Sequence, residues 1–195
     1  MYLFFDTETT GLPKSWKAPV TDTQNWPRMV QLAWQLYDEN QQVHESFEYI
    51  IRPEGYTIPT EAARVHGITT ERAIAEGQDL TMVLNKLRDA MLKADYLVAH
   101  NISFDEKIVG AEFLRKSIQS LARRIPRVCT MQSATDYCKL PSKSGNYGSF
   151  KYPNLTELHT KLFGRSFDSA HTALADVKAC ADSFFELKRL GIIKL

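Results

Sequence analysis

Tyr2-Leu3-Phe4-Phe5-Asp6-Thr7-Glu8 sets the centre around which the rest of the chain is built. Four apolar residues in a row, two of them Phe, read as a strand buried on both faces. Such a strand has no structural need to finish in Asp6-Thr7-Glu8. Side chains alternate along a strand, so Asp6 and Glu8 project from the same face, close together. Side-by-side carboxylates repel, and burying either one unpaired is costly. A cation is the usual compensation, and oxygen ligands select hard divalent ions such as Mg²⁺ or Mn²⁺. The competing reading is an Asp that caps the turn at the strand end, with Glu8 merely solvated. Short acidic patterns recur by accident, so this motif alone leaves both open.

The chain around this strand has 195 residues, enough for one domain with a full core. Apolar content of 44% and charged content of 24% are ordinary for a soluble globular protein. A net charge of +1 excludes a general polycation, so any nucleic-acid contact must come from local patches. Cys129, Cys138 and Cys180 form no C-x-x-C pair and are odd in number, which predicts structural thiols in a reducing compartment and no zinc site. Met1 runs straight into the first strand without a basic leader, and no stretch approaches membrane-spanning length. The expectation is a soluble, cytoplasmic protein with no membrane partner.

Downstream, Thr10-Gly11-Leu12-Pro13 reads as a turn, and residues 13–27 as a loop insertion holding Trp16, Pro19, Trp26 and Pro27. Val30, Leu32, Trp34 and Leu36 alternate, as do Val43, Phe47, Tyr49 and Ile51, which predicts an antiparallel hairpin over 29–51 turning at Asp38-Glu39-Asn40. A short helix is expected from Thr60 to Val65, ended by His66-Gly67. Leu80, Val83, Leu84, Leu87 and Met91 recur at helical spacing. Residues 95–99 form a second short buried strand, followed by a helix from about Ser103 to Ser117. A last strand is expected over 125–129, a helix over 130–138, another over 155–163 and a long final helix over 170–190. Residues 139–153 are too rich in Gly, Ser, Pro and Lys for regular structure and read as a flexible loop. Its Lys139, Lys143 and Lys151 interleave with Tyr147, Phe150 and Tyr152, which suits a single-strand platform or an ordinary solvated loop equally. Strand, hairpin, helix, strand, helix argues for an α/β domain with one mixed sheet flanked by helices.

Three further polar residues sit where burial should dominate. Asp105 follows the strand at 95–99 after a short link, at the carboxyl end of that strand, the usual ligand side of an open α/β sheet. Asp176 lies in the last helix among Leu174, Ala175 and Val177, and His171 lies five residues earlier. Taken singly, Asp176 reads as a solvated helix residue and His171 as a cap or surface group.

Taken together, Asp6-x-Glu8, His100-Asn101-x-x-Phe104-Asp105 and His171-x-x-x-x-Asp176 give four carboxylates and an imidazole in a distinctive order. This order resembles the DEDDh branch of the DnaQ-like 3′–5′ exonucleases, a group that includes the proofreading subunit of bacterial DNA polymerase III. Thr9-Thr10-Gly11-Leu12 and His66-Gly67-Ile68-Thr69 fit the same family, and the likeness runs from residue 2 to about 188. The resemblance implies a ribonuclease H-like fold with a mixed central sheet of about five strands. It implies hydrolysis of single-stranded 3′ ends, DNA before RNA, with two Mg²⁺ or Mn²⁺ ions per active site. Such ions sit roughly 3.5–4 Å apart, activating a water and stabilising the leaving oxygen. Asp6, Glu8, Asp105 and Asp176 would hold them, and His171 would take the proton from water. Thr7, Thr9, Leu12, His66, Ile68, Asn101 and Phe104 would line the nucleotide pocket, with simple core packing as the alternative for Leu12, Ile68 and Phe104. A polymerase or repair partner, or a catalytically silent nucleic-acid-binding module on the same fold, completes the set of expectations.

Overall fold

The computed structural model describes residues 1–120, 124–142, 150–167 and 172–195. Five strands, β1 (Tyr2–Thr9), β2 (Met29–Tyr37), β3 (Val43–Ile50), β4 (Tyr96–Ala99) and β5 (Arg127–Cys129), form one sheet in the order β3-β2-β1-β4-β5. The doubly apolar β1 takes the centre, as its sequence requires. The hairpin β2–β3 joins it antiparallel, with Phe5 opposite Trp34, Asp6 opposite Ala33 and Glu8 opposite Gln31. β4 and β5 follow in parallel, with Phe4 opposite Val98 and Ala99 opposite Cys129. The sheet is therefore mixed, and β1, β4 and β5 all end at one edge.

Alternation along β1 splits the core in two. Leu3 and Phe5, with Leu32, Trp34 and Leu36, meet α3 (Leu80–Met91) and α4 (Ile102–Arg115) through Leu84, Leu87, Ile108 and Phe113. Phe4, with Ala33 and Tyr37, meets α8 (Ala173–Arg189) through Val177, Ala181, Phe184 and Leu187. Both faces are covered, so Gln31 and Ala33, which lie between the alternating residues of β2, are buried as well, and Gln35 is half-buried. α7 (Leu155–Phe163) starts at a capping box in which Asn154 and Glu157 each hold the other's backbone N–H.

Several expectations change. A helix not read from the sequence, α2 (Thr70–Glu76), follows α1 (Thr60–His66); the Thr69 hydroxyl caps it by accepting from the Arg72 N–H. The single helix expected over 130–138 is two short ones, α5 (Thr130–Ser133) and α6 (Thr135–Cys138), with Ala134 between them. The irregular stretch 139–153 closes at its ends, where Pro141 bridges Phe150 and the Lys151 N–H donates to the Leu140 carbonyl; residues 143–149 lie outside the described part. The final helix is described from Ala173, and His171 also lies outside.

Glu112 of α4 carries a connection that no motif announced. Its side chain is fully buried, and Oε1 accepts from the Met29 N–H at 3.0 Å and from Arg28 Nε at 2.9 Å, with Arg115 Nη1 at 2.8 Å. Removing one partner of such a cluster leaves uncompensated buried charge, at a cost of about 3–5 kcal/mol. Glu112→Ala is expected to lower unfolding stability by about that amount in urea titration, and a change below about 1 kcal/mol would show the cluster to be dispensable.

Candidate active site

The site forms where β1 runs out of apolar residues. Phe4, Asp6 and Glu8 share the face covered by α8, while Thr7 faces the side of α4. Parallel pairing sets Phe4 beside Val98, so β4 ends one residue later, at Ala99, just short of the level of Asp6 in β1, and its next residues reach the same edge. Asn101 makes that turn in the left-handed region, at φ 68°, which Asn tolerates better than most residues. α4 then begins at once, and Asp105 in its first turn comes back to the β1 edge. Its Oδ1 accepts from the Thr7 N–H at 3.0 Å and from the Thr7 hydroxyl at 2.7 Å.

Asp176 arrives from the other side. The first N–H groups of α8 are held by the hairpin: Gln31 Oε1 accepts from Ala173 at 3.4 Å and Glu48 Oε1 from Leu174 at 3.2 Å. With its first turn fixed, α8 places Asp176 so that carboxylate oxygens of Asp6, Glu8 and Asp176 all lie within 4.8 Å of one another. Sequence reading overlooked Gln31 and Glu48. The available signal was Gln31, a polar residue inside the apolar run of β2 and directly opposite Glu8.

The electrostatics describe a site short of positive charge. Burial, then Asp105, Asp176 and Glu8, raise Asp6 well above the ordinary carboxylate range. Burial, then Asp176 and Asp105, push Glu8 up to about 8. Burial pushes Asp105 up to about 7 against the two Thr7 bonds that oppose it. Oxygen donors from three separate elements, mutually repelling and partly withdrawn from water, fit hard divalent cations.

The pH dependence of stability follows. Glu8 and Asp105 bind protons more tightly folded than unfolded, so in chelator the native state is favoured at low pH. Its advantage is lost as pH rises through about 7 to 8. His100 acts oppositely, since burial lowers its pKa from 6.5 to about 4, but that contribution is complete above about 6.5. The melting temperature in EDTA is expected to fall between pH 6.5 and 8 and to recover on adding Mg²⁺ or Mn²⁺. A melting temperature that does not move over this range would contradict the assignment.

The expected pocket residues divide by environment. Leu12 is 75% exposed at the rim. Phe104 is half-buried, its ring 5.6 Å from that of Trp16. Thr9 is buried and its hydroxyl donates to the Gly11 carbonyl at 2.7 Å, bracing the turn that carries Leu12. Asn101 accepts from the Ser103 hydroxyl at 3.3 Å. His66 is buried and accepts at Nδ1 from the Ile68 N–H, and its pKa is lowered by burial. Ile68 is 1% exposed among Val30, Ile58 and Ala73, so core packing describes its side chain. Thr7 spends its hydroxyl on Asp105 instead of facing an open pocket.

The chain thus joins a mixed five-stranded sheet to carboxylates gathered at its strand ends. The sequence model of the exonuclease family, of the RNase T type, matches residues 3–184; the chain belongs to this family, the DnaQ-like DEDDh group. It is 28% identical over 184 residues to the PolC-type DNA polymerase III of Streptococcus thermophilus, covering 94% of this chain and 11% of the polymerase. The corresponding enzyme of Streptococcus pyogenes is matched at the same identity and coverage. The chain thus spans about a tenth of the length of these relatives. Among solved structures, E. coli exonuclease I in complex with a dT13 oligonucleotide shares the fold, with a TM-score of 0.73 at 22% identity over 97% of this chain and 42% of that one. Exonuclease X in complex with 5′ overhanging duplex DNA shares it at a TM-score of 0.63 and 20% identity, over 98% and 93%. Among the described residues no helix is long and apolar enough to cross a membrane.

Proposed function

We propose that this chain is a divalent-metal-dependent 3′–5′ exonuclease that removes nucleotides from single-stranded DNA ends and releases 5′-monophosphates. The observation that carries the reading is the convergence of Asp6, Glu8 and Asp176, with Asp105 near enough to raise the pKa values of Asp6 and Glu8 and raised itself. A silent binding module has no use for this arrangement, because clustered carboxylates repel both one another and a phosphate backbone.

In this reading the four carboxylates hold two Mg²⁺ or Mn²⁺ ions, which when bound neutralise charge on the phosphate and make water acidic enough to attack. One relative, E. coli exonuclease I, is known in a zinc-bound complex with single-stranded DNA, which supports a divalent-ion site. His171 would take the proton of the attacking water as the water oxygen bonds to phosphorus and the bond from phosphorus to the 3′-oxygen breaks; that oxygen stays on the shortened strand and takes a proton from solvent to become its new 3′-hydroxyl. Thr7 holds Asp105 in place for this, and Asn101 sets the turn that delivers it. Leu12 and Phe104 offer apolar surface to the terminal bases, with Thr9 and His66 bracing the rim. The likeness to PolC-type DNA polymerase III supports work beside a polymerase, and a role in repair and a cytoplasmic location are further parts of the proposal.

A DNA and an RNA oligonucleotide, each labelled at the 5′ end and incubated with Mg²⁺ or EDTA, test the reading. DNA is expected to shorten one nucleotide at a time with Mg²⁺ alone. Faster digestion of RNA would make the enzyme an exoribonuclease. Internal cuts, or an unchanged rate when the 3′-hydroxyl is blocked, would overturn the proposal.

A further inference from the structure

Segment 13–27 looks from its composition like a free loop, yet it is fastened along its whole length. The Asn25 side chain is buried and brackets Ser15, accepting from its N–H at 2.7 Å and donating to its carbonyl at 2.9 Å. Lys14 N–H donates to the Asn25 carbonyl at 3.2 Å, and Trp26 Nε1 to the Pro19 carbonyl at 3.0 Å. α4 holds it from below: Arg115 donates to the carbonyls of Thr23 and Trp26, and Lys107 donates to the Trp16 carbonyl at 3.0 Å. Val20 leans so close to α4 that a methyl group added at Gly110 would lie 2.8 Å from it.

What this fastening presents to solvent is a tryptophan. Trp16 is 51% exposed, whereas the two other tryptophans, Trp26 and Trp34, are 3% and 0% exposed. Its ring leans at 46° over Phe104, the residue immediately before Asp105. Lys14 and Lys17, both exposed, flank it in the chain. Trp26 of the same segment packs into the core, but the exposed indole of Trp16 adds nothing to it, although its own carbonyl and the backbone of Ser15 are held. An aromatic face beside cationic side chains, at the rim of a carboxylate site, is complementary to a base and its phosphates.

We propose that Trp16, seated on Phe104, is a stacking platform for a base of the single strand on the 5′ side of the nucleotide being removed, with Lys14 and Lys17 facing the adjoining phosphates. The platform rests on the exonuclease reading for its orientation along the strand. It deepens that reading by adding a binding position outside the terminal pocket. Because the backbone is already fixed, little conformational entropy remains to be lost when the base stacks.

Intrinsic fluorescence reads the platform directly, since solvent-exposed tryptophan emission in this chain belongs to Trp16. With Ca²⁺ in place of Mg²⁺, so that the strand is held and not cut, an oligothymidylate is expected to quench that emission. Trp16→Leu should lack the quench. In hydrolysis with Mg²⁺, Trp16→Ala is expected to raise KM for the oligonucleotide about tenfold, the usual worth of one stacked base, with the loss in KM and not in kcat. Trp16→Phe should restore most of the affinity, because a ring remains. Hydrolysis with unchanged Trp16 emission and an unchanged KM in Trp16→Ala would overturn the platform while leaving the exonuclease reading intact, and would leave Trp16 to a protein partner. Quenching that depends on Trp16 without any hydrolysis would uphold the platform and defeat the exonuclease reading. Absence of any strand binding would overturn the platform.

Discussion

Asp6→Asn is expected to reduce nucleotide release to background while the protein folds and melts at least as well as the wild type in chelator. Asp6 stands at the centre of the cluster: Asp105, Asp176 and Glu8 each raise its pKa, after burial. Asn keeps the shape of the side chain and removes the charge. That relieves repulsion inside the site and takes away the donor that the other carboxylates surround. The melting temperature of the wild type should climb on adding Mn²⁺, because an ion that binds only the folded state stabilises it in proportion to its occupancy. The variant should show a much smaller rise. Wild-type turnover in purified Asp6→Asn would mean that the carboxylates do not hold the catalytic ions.

His171→Ala is expected to lower turnover by about 10²–10⁴-fold, the usual contribution of a positioned acid–base group, while keeping the Mn²⁺-dependent rise in melting temperature. The expectation comes from the five-residue spacing to Asp176 and the family to which the chain belongs. The acidic limb of the pH–rate profile, where imidazolium accepts no proton, should shift or vanish with the side chain. A surface histidine would leave rate and profile unchanged. A packing histidine would lower the melting temperature along with the rate. Only a selective loss of rate supports the general base.

The sheet was legible because its strands are short and strongly patterned. The run Leu3-Phe4-Phe5 sets the central strand, and the alternations at Val30–Leu36 and Val43–Ile51 set the hairpin. Asp6 and Glu8 were legible as a pair because the period of a strand is fixed at two. Asp105 was legible because β4 is followed so closely by its helix. α2 was missed because its seven residues bury little, chiefly Ala73, and give no periodic stripe. The break at Ala134 was missed because nothing local marks it: neither Gly nor Pro interrupts 130–138. Long-range hydrogen bonds were the least legible. Thr7 to Asp105, and Gln31 and Glu48 to the start of α8, depend on where separate elements meet, which no local pattern encodes. For the same reason the sequence of 13–27 reads as a loop, although Asn25 and Trp26 tie it to itself and Lys107 and Arg115 of α4 donate to its carbonyls.

If the carboxylates at the end of β1 direct a water onto the phosphorus of the last phosphodiester, the released nucleotide carries an oxygen from solvent. Digesting a single-stranded DNA oligonucleotide with Mg²⁺ in water enriched in heavy oxygen, and weighing the released mononucleotide by mass spectrometry, tests it most directly. The predicted product is a nucleoside 5′-monophosphate carrying one solvent-derived oxygen on its phosphate, formed by the wild type and absent with Asp6→Asn or EDTA. A nucleoside 3′-monophosphate, a phosphate without solvent oxygen, or the same product from Asp6→Asn would contradict the claim.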